Sequence, residues 1–469
     1  MMKKLLSKLL AISGMLGSVA ACNANWNSSY FTSTNHDVVP VAMAEDSSGN
    51  VYVLGTVQTT DTQFVIQKIN SSGTSVSDVE FGSSTLADTA YDITIKSDKI
   101  YMLGREGNKM YVACFNTSLS NVWTQNNLTP VAGNNTTTSD FIPYRVSVDS
   151  GLCYVTAAVQ ETSSGNVDLG VSTTAKAVFY AQLSNSGSVN YSSGWEGVSG
   201  QPDNLYGTHA VSNGLVFITD TKSLISGSYY SRAHFTKVAS GSNTVQWSSE
   251  VGFSGSYTNR IHKLSKSDAY GDNVFVGFEN STYVPWQTDT YTQEWITRVD
   301  GSATTAPSWT YSLSNVEKVL HGTPDKPNQH NHSGGVGRYS GDYVSCGWGD
   351  YSDVFNDDAA SWLRGESGGT YNLASTNTLT IQPSVSQRAF HSDNAYLAAL
   401  YRASTSSSFY YWSTGMTAGA TKTIASDFAS GYSGAPVHIF ASGQSSHAYV
   451  VITLTDNSGR KKTGLYQLS

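Results

Sequence analysis

Charge is scarce in this chain. Lys, Arg, Asp and Glu make up 13% of its 469 residues, and the formal balance is −8. So few cations and a net negative charge exclude the basic stripe that a nucleic-acid or polybasic membrane-binding surface requires. Cysteine is sparse too, with Cys22, Cys114, Cys153 and Cys346 the only four. The last three sit in apolar β-type runs and read as small buried hydrophobes, not as a disulfide framework. Glu, Lys and Leu are thin, so few helices are expected. No stretch reaches the roughly 18 apolar residues of a membrane-spanning helix. Gly, Ser, Thr, Asn and Tyr are plentiful instead.

The N-terminal residues have their own organisation. Met1-Met2-Lys3-Lys4-Leu5-Leu6-Ser7-Lys8 is a short cationic segment, and Leu9 to Val19 is uncharged and too short to span a bilayer. Val19-Ala20-Ala21-Cys22 follows, with small residues before a Cys. This run resembles the bacterial lipoprotein signal, in which the Cys is acylated and becomes the first residue after cleavage. The alternative is an ordinary secretory signal with a chance Cys. The resemblance implies a signal peptide over 1–21, lipidation at Cys22 and a body tethered to the cell envelope. Asn23, where an Asp would favour inner-membrane retention, points to the outer membrane if the cell is Gram-negative. Loss of Lys3, Lys4 and Lys8 from the 27 basic residues leaves 24 against 35 acidic ones, a net of −11.

A repeat runs through the rest. Eight segments share a turn signal, an aromatic residue and alternating apolar residues, centred on Tyr52, Tyr101, Tyr154, Phe217, Phe275, Tyr343, Tyr396 and Tyr449. Successive aromatics lie 49, 53, 63, 58, 68, 53 and 53 residues apart. Each is preceded by a β-type run (Val39 to Ala44, Tyr91 to Ile95, Tyr144 to Val148) and followed by another (Phe64 to Ile69, Met110 to Phe115, Val178 to Leu183). A Gly-bearing turn and a fourth strand carrying Trp123, Tyr191, Trp247 or Trp309 complete several units. Four antiparallel strands in about 50 residues make one propeller blade. The last unit stops after its third strand, Thr463 to Leu468, while Asn25-Trp26-Asn27-Ser28-Ser29-Tyr30 reads as a stray fourth strand. The expectation is an all-β, eight-bladed β-propeller over 22–469, with residues 22–35 supplying anchor, spacer and a strand that closes the last blade and removes two open edges. Each repeated aromatic is expected to pack between neighbouring sheets, contributing about 1.5–3 kcal/mol of burial.

Asp46-Ser47-Ser48-Gly49-Asn50-Val51-Tyr52-Val53-Leu54-Gly55, with Phe64 to Lys68 and Gly73 downstream, resembles the bacterial beta-propeller repeat of exported proteins. The third strand, Gly turn and Trp strand also resemble pyrroloquinoline-quinone-like repeats. That superfamily includes eight-bladed quinoprotein dehydrogenases and the outer-membrane lipoprotein of the β-barrel assembly machinery. The resemblance covers residues 25–469 and implies a fold; insertions around 157–175 and 313–333 depart from the assembly lipoprotein. Neither WD40 nor sialidase signatures occur, and the calcium site and disulfide platform of the dehydrogenases are missing.

Candidate site residues cluster before the repeat aromatics. His209, His262, His332 and His438 lie 8 to 13 residues ahead of theirs, and Arg388 lies eight ahead of Tyr396. On inner strands, these residues would approach the mouth of the central channel, where imidazoles and a guanidinium suit a carboxylate, a sulfate or a divalent metal. His330 and His332 are the metal candidates. The bland alternative is hydrogen-bonded histidines brought into register by the repeat itself. Asp46 to Asn50 and Asp456 to Gly459 look like calcium loops but have the composition of tight turns. Tyr229, Tyr230, Tyr410 and Tyr411 are expected in surface loops, as platforms for a sugar or protein. The expected function is a monomeric, lipid-anchored, non-enzymatic binding or scaffold protein with a protein or glycan partner and no cofactor. The alternatives are a metal-dependent polysaccharide lyase or hydrolase at the channel mouth, and an outer-membrane protein assembly factor.

Overall fold

The computed structural model describes residues 29–31, 37–58, 62–73, 76–130, 140–160, 176–195, 203–225, 228–251, 259–264, 267–283, 290–306, 319–321, 329–339, 342–351, 360–366, 379–380, 385–393, 396–403, 409–413, 422–423, 432–442 and 447–468. Side chains are described chiefly over 37–249 and 449–467. The expectations at Cys22, Trp26 and Trp309 lie outside the described residues.

Every regular element among the described residues is a β-strand. Five sheets have four strands: three in sequence over 37–81, 88–128 and 141–195, a fourth over 385–423, and a closing sheet over 432–468. Between the third and fourth of these, residues 203–380 form one thirteen-stranded sheet. Single residue pairs, Ser231 with Ile261 and Thr292 with His330, bridge the three successive strand runs inside it. The closing sheet takes its fourth strand from the other end of the chain. Ser29–Phe31 pairs antiparallel with the last strand, Ser29 opposite Leu465, Tyr30 opposite Gly464 and Phe31 opposite Thr463. The expected closing strand is thus in place for Ser29 and Tyr30.

The first strands of successive strand runs lie side by side: Asp37–Glu45, Asp88–Lys96, Phe141–Asp149, Asp203–Val211, Asp268–Tyr270, Gln329–Tyr339, Val385–Asp393 and Tyr432–Ser442. The last of them returns to the first. Antiparallel four-stranded meanders packed face to face around a closed ring make a β-propeller.

The core lies between sheets. Tyr52, Leu54, Phe64 and Ile66 of the first sheet pack with Ile93, Met102, Tyr111 and Phe115 of the second. Phe64 stands 4.8 Å from Tyr111 and 5.5 Å from Phe81, ring centre to ring centre. Cys114 and Cys153 are buried and free in the next interface, as small apolar side chains. The repeat aromatics Tyr52, Tyr101, Tyr154, Phe217 and Tyr449 are all buried.

Polar side chains stitch the same interfaces at one recurring place, the turn before the fourth strand of the following sheet. Tyr52 Oη and Lys68 Nζ both donate to Thr117 O, at 3.0 and 2.7 Å. Tyr180 Oη donates to Asn243 O at 2.8 Å, and Lys237 Nζ and Trp247 Nε1 donate to Ala303 O at 3.0 and 2.9 Å. The turns themselves are organised by acceptor side chains. Asp46 Oδ1 accepts from Ser48 N and Asn50 N, both at 2.9 Å, and Asp456 Oδ1 does the same with Ser458 N and Arg460 N. Gly49 and Gly459 supply the positive φ each turn needs, 78° and 82°. These carboxylates act as turn acceptors.

Two expectations are corrected here. Tyr229 and Tyr230 lie inside the strand Ser228–Ala239, and Tyr410 and Tyr411 inside Phe409–Ser413, so all four are strand residues. The expected insertion at 157–175 starts later, because Leu152–Gln160 continues as a strand through Ala157, and Gln329–Tyr339 likewise begins within 313–333.

Candidate functional site

The first strands around the ring share one irregularity. In seven of the eight the antiparallel register skips a residue, Val41, Tyr91, Tyr144, Tyr206, Gly334, Ser386 and Val437, and in the fifth run the skip, at His262, falls on Asn259–Leu264 just ahead of the unbroken Asp268–Tyr270. Each is the extra residue of a β-bulge, which bends its strand and re-aims the side chains beside it. Proline occupies the position just before the bulge at Pro40, Pro143 and Pro436. Proline has no N–H for the ladder and is admitted to a sheet at such breaks.

All five candidate residues lie on these strands or, for His262, on Asn259–Leu264, which pairs with the same neighbour as Asp268–Tyr270. Relative to their bulges, His332 lies two residues before, His262 at it, His438 one after, Arg388 two after and His209 three after. At about 3.3 Å per residue the set spans roughly 16 Å along the strands. The side chains of His262, His330, His332, Arg388 and His438 lie outside the described ones. By backbone, His330 stands opposite Asp350 and His332 opposite Trp348.

His209 is described in full, and it is buried. Its Nε2 lies 2.8 Å from Ser267 Oγ, and that hydroxyl is 3.2 Å from Tyr206 O. With the Ser267 proton given to the carbonyl, Nε2 carries the imidazole proton. Burial, and then the Arg145 cation, hold His209 well below the ordinary imidazole range, so it is neutral. Gly207 leaves the room into which Ser267 fits. Sequence reasoning expected His209 at the channel mouth; the structure gives its Nε2 to a seam between two strand runs.

The described part of the ring brings other groups together. Neighbouring first strands are joined by side-chain acceptors, Asp92 Oδ2 taking Val146 N at 2.9 Å and Ser147 Oγ taking Ala210 N at 2.7 Å, and Thr56 Oγ1 on the second strand of the first sheet takes Ala90 N at 3.2 Å. At the bulges of three consecutive strands stand Tyr91, Tyr144 and Tyr206, all half-buried. Burial pushes the Tyr144 phenol up to about 12, with Arg145 opposing and Asp92 and Tyr206 adding to the rise. Tyr206 is pushed up to about 12 by burial and by Asp220. Tyr144, Arg145, Asp92 and Tyr206 thus share one electrostatic neighbourhood that sequence reasoning missed. The Pro143-Tyr144-Arg145 order was the available signal, because proline inside a β-type run marks a break in the ladder. Among the described residues, no group of three His, Cys, Asp or Glu side chains is placed to hold a metal ion.

No protein-family model and no curated protein matches this chain. Solved structures of similar shape exist. The β-propeller domain of the trilobed protease from Pyrococcus furiosus is 9% identical, with a TM-score of 0.42 over 84% of this chain and 96% of its own. The acylaminoacyl peptidase of Pyrococcus horikoshii is 11% identical with a TM-score of 0.41; the match covers 89% of this chain and 57% of the peptidase. The polysaccharide lyase Uly1 is 9% identical, with a TM-score of 0.42 over 96% of this chain and 95% of its own. All three fall below a TM-score of 0.5, and the sheet topology carries the fold assignment.

Proposed function

We propose that this chain is an eight-bladed β-propeller, held at the cell envelope by a lipid on Cys22, that works as a non-enzymatic binding or scaffold protein. The blade number is supported by the eight first strands that follow one another around the ring and by the bulge each strand run carries. On this reading the thirteen-stranded sheet counts as three blades joined by single bridges.

The observation that carries the proposal is the pairing of Ser29–Phe31 with Lys461–Leu468. It leaves seven residues from Cys22 to the folded ring, at most about 25 Å of extended chain. A body on so short a leash stays beside the bilayer and presents the surface facing away from it. Two acyl chains hold such a protein durably where one does not. In a Gram-negative cell, Asn23 after the anchor suits the outer membrane. A binding role is favoured because the seam residues His209 and Lys237 and the turn carboxylates Asp46 and Asp456 are each taken up by internal hydrogen bonds.

The test has two arms. Palmitate labelling of cells should mark the wild-type chain, and Cys22→Ser should lose both the label and membrane association; retention of the label by that variant would end the lipoprotein reading. The purified chain should leave a panel of acidic polysaccharides uncut, with and without divalent metals. Turnover abolished by His262→Ala or His332→Ala would replace the binding role with the lyase or hydrolase one.

A further inference from the structure

Equivalent positions build the seam between the first and second sheets and the seam between the closing sheet and the first. Tyr52 stands opposite Lys68 and Thr56 opposite Phe64; in the closing sheet Tyr449 stands opposite Gln467 and Thr453 opposite Thr463. Thr463 therefore holds the place of Phe64. On the receiving side, Gly104 stands opposite Tyr111 and Met102 opposite Ala113, as Gly55 stands opposite Val65 and Val53 opposite Gln67. Val65 and Gln67 therefore hold the places of Tyr111 and Ala113. These ladders are unbroken, so alternation fixes the faces. Ile69 and Leu465 meet in one cluster, and Gln67 and Thr463, each two residues along, look into the same seam.

The exchange trades two rings for small side chains and an alanine for an amide. In the first seam Phe64 and Tyr111 pack with ring centres 4.8 Å apart, and the Phe64 ring fills the space beside Gly104 that a Cβ would need. Beside Gly55 the three nearest atoms, 2.7 to 3.2 Å from such a Cβ, are backbone atoms of Val39 and Pro40, and the closing sheet sends nothing nearer. Val65, Gln67 and Thr463 are nonetheless 0% exposed. Among the described residues, neither amide atom of Gln67 has a hydrogen-bond partner, nor has Thr463 Oγ1 or Gln467 Oε1. An unpaired buried amide is costly, and a polar space enclosed by protein is where internal water binds.

We propose that the closing seam is wet: internal water occupies the place of the missing rings, hydrogen-bonded to the Gln67 amide and to Thr463 Oγ1. The amide offers two donors and an acceptor, and the hydroxyl offers a donor and two lone pairs, which meets the two to four partners a buried water takes. Full burial of the lining side chains suits a molecule as small as water. The inference goes beyond the anchored-scaffold reading, because it depends neither on the lipid nor on a protein partner.

A high-resolution crystal structure of the purified chain carrying Cys22→Ser tests it. Solvent density is expected about 2.7–3.2 Å from Gln67 Nε2 or Oε1. It should vanish in Gln67→Met, which keeps the length of the side chain and deletes its polar atoms. Val65→Tyr, Gln67→Ala and Thr463→Phe together graft the first seam into the closing one, and should displace the water without lowering Tm. No density at Gln67, density unchanged in Gln67→Met, or an amide bonded directly to another protein group would each overturn the proposal. A graft less stable than the wild type, or unable to fold, would also overturn it by showing a space already full.

Discussion

The junction between the first and second sheets and the junction between the last sheet and the first come from the same repeat, yet they hold by different means. In the former, Phe64, Phe81, Tyr111 and Phe115 interlock, and the second sheet is tied back by Tyr52 and Lys68 on Thr117 O and by Thr56 on Ala90 N. In the latter, Met43, Val51, Val53 and Ile69 meet Tyr449, Val451 and Leu465, all aliphatic apart from one ring. Polar ties described there include Tyr449 Oη to Glu45 and a 3.6 Å ion pair of Arg460 with Asp37, whose side chains are 56% and 26% exposed. An exposed pair of that kind adds little. The closing junction relies instead on topology: a three-residue strand from one end of the chain completes a sheet made by the other. Aromatic packing holds neighbours that the chain already connects, and strand exchange holds neighbours that it does not.

Breaking the aromatic interlock should have the largest effect. Phe64→Ala removes a fully buried ring and should cost about 3–5 kcal/mol in denaturant unfolding. A loss below about 1 kcal/mol would mean the interlock carries no special weight.

Next comes a pH effect confined to the same junction. Asp88 is 1% exposed, and burial pushes its carboxyl up to about 7, with Ser83 N opposing and Glu106 adding. Its Oδ2 accepts from Ser83 N at 3.0 Å, while Oδ1 has no partner among the described residues. The folded pKa lies above the unfolded 3.8, so the folded state binds the extra proton. The stability from this group is complete below about pH 4 and is lost as pH rises through 7. Between pH 5 and 8 the Tm of the wild-type protein should therefore fall by several degrees relative to Asp88→Asn, which cannot titrate. Parallel Tm curves for the two proteins would contradict the buried-acid account.

The smallest effect belongs to the closing junction. Tyr449→Phe deletes the hydrogen bond to Glu45 and keeps the packing, so a loss of about 1 kcal/mol is expected in the same unfolding measurement. A loss matching that of Phe64→Ala would erase the contrast between the junctions.

Much of this architecture is legible in the sequence, for a definite reason. Tyr52, Tyr101, Tyr154, Phe217 and Tyr449 recur because the same buried slot recurs between sheets, and a buried slot restricts residue type. The closing strand is legible as a missing fourth strand at one end and a stray one at the other. The bulge is marked only where a proline precedes it, at Pro40, Pro143 and Pro436; elsewhere its extra residue sits outside the ladder and is free to be Tyr91, His262 or Gly334. His209 shows the other limit. Spacing places it on a first strand, but its partner Ser267 comes from the next strand run, and long-range pairing of that kind leaves no local pattern.

The central claim is that the ring closes through Ser29–Phe31, and cross-linking tests it most directly. Phe31 stands opposite Thr463, and opposed residues in an antiparallel pair hold their Cβ atoms about 4.5–5.5 Å apart, near disulfide reach. In a Cys22→Ser background, Phe31→Cys with Thr463→Cys should oxidise rapidly to an intramolecular disulfide, seen as a faster-migrating monomer on a non-reducing gel. The pairing of Phe31→Cys with Lys461→Cys, two residues out of register, should not. Equal cross-linking in both pairs, or disulfide-linked dimers in place of the compact monomer, would contradict closure by this strand.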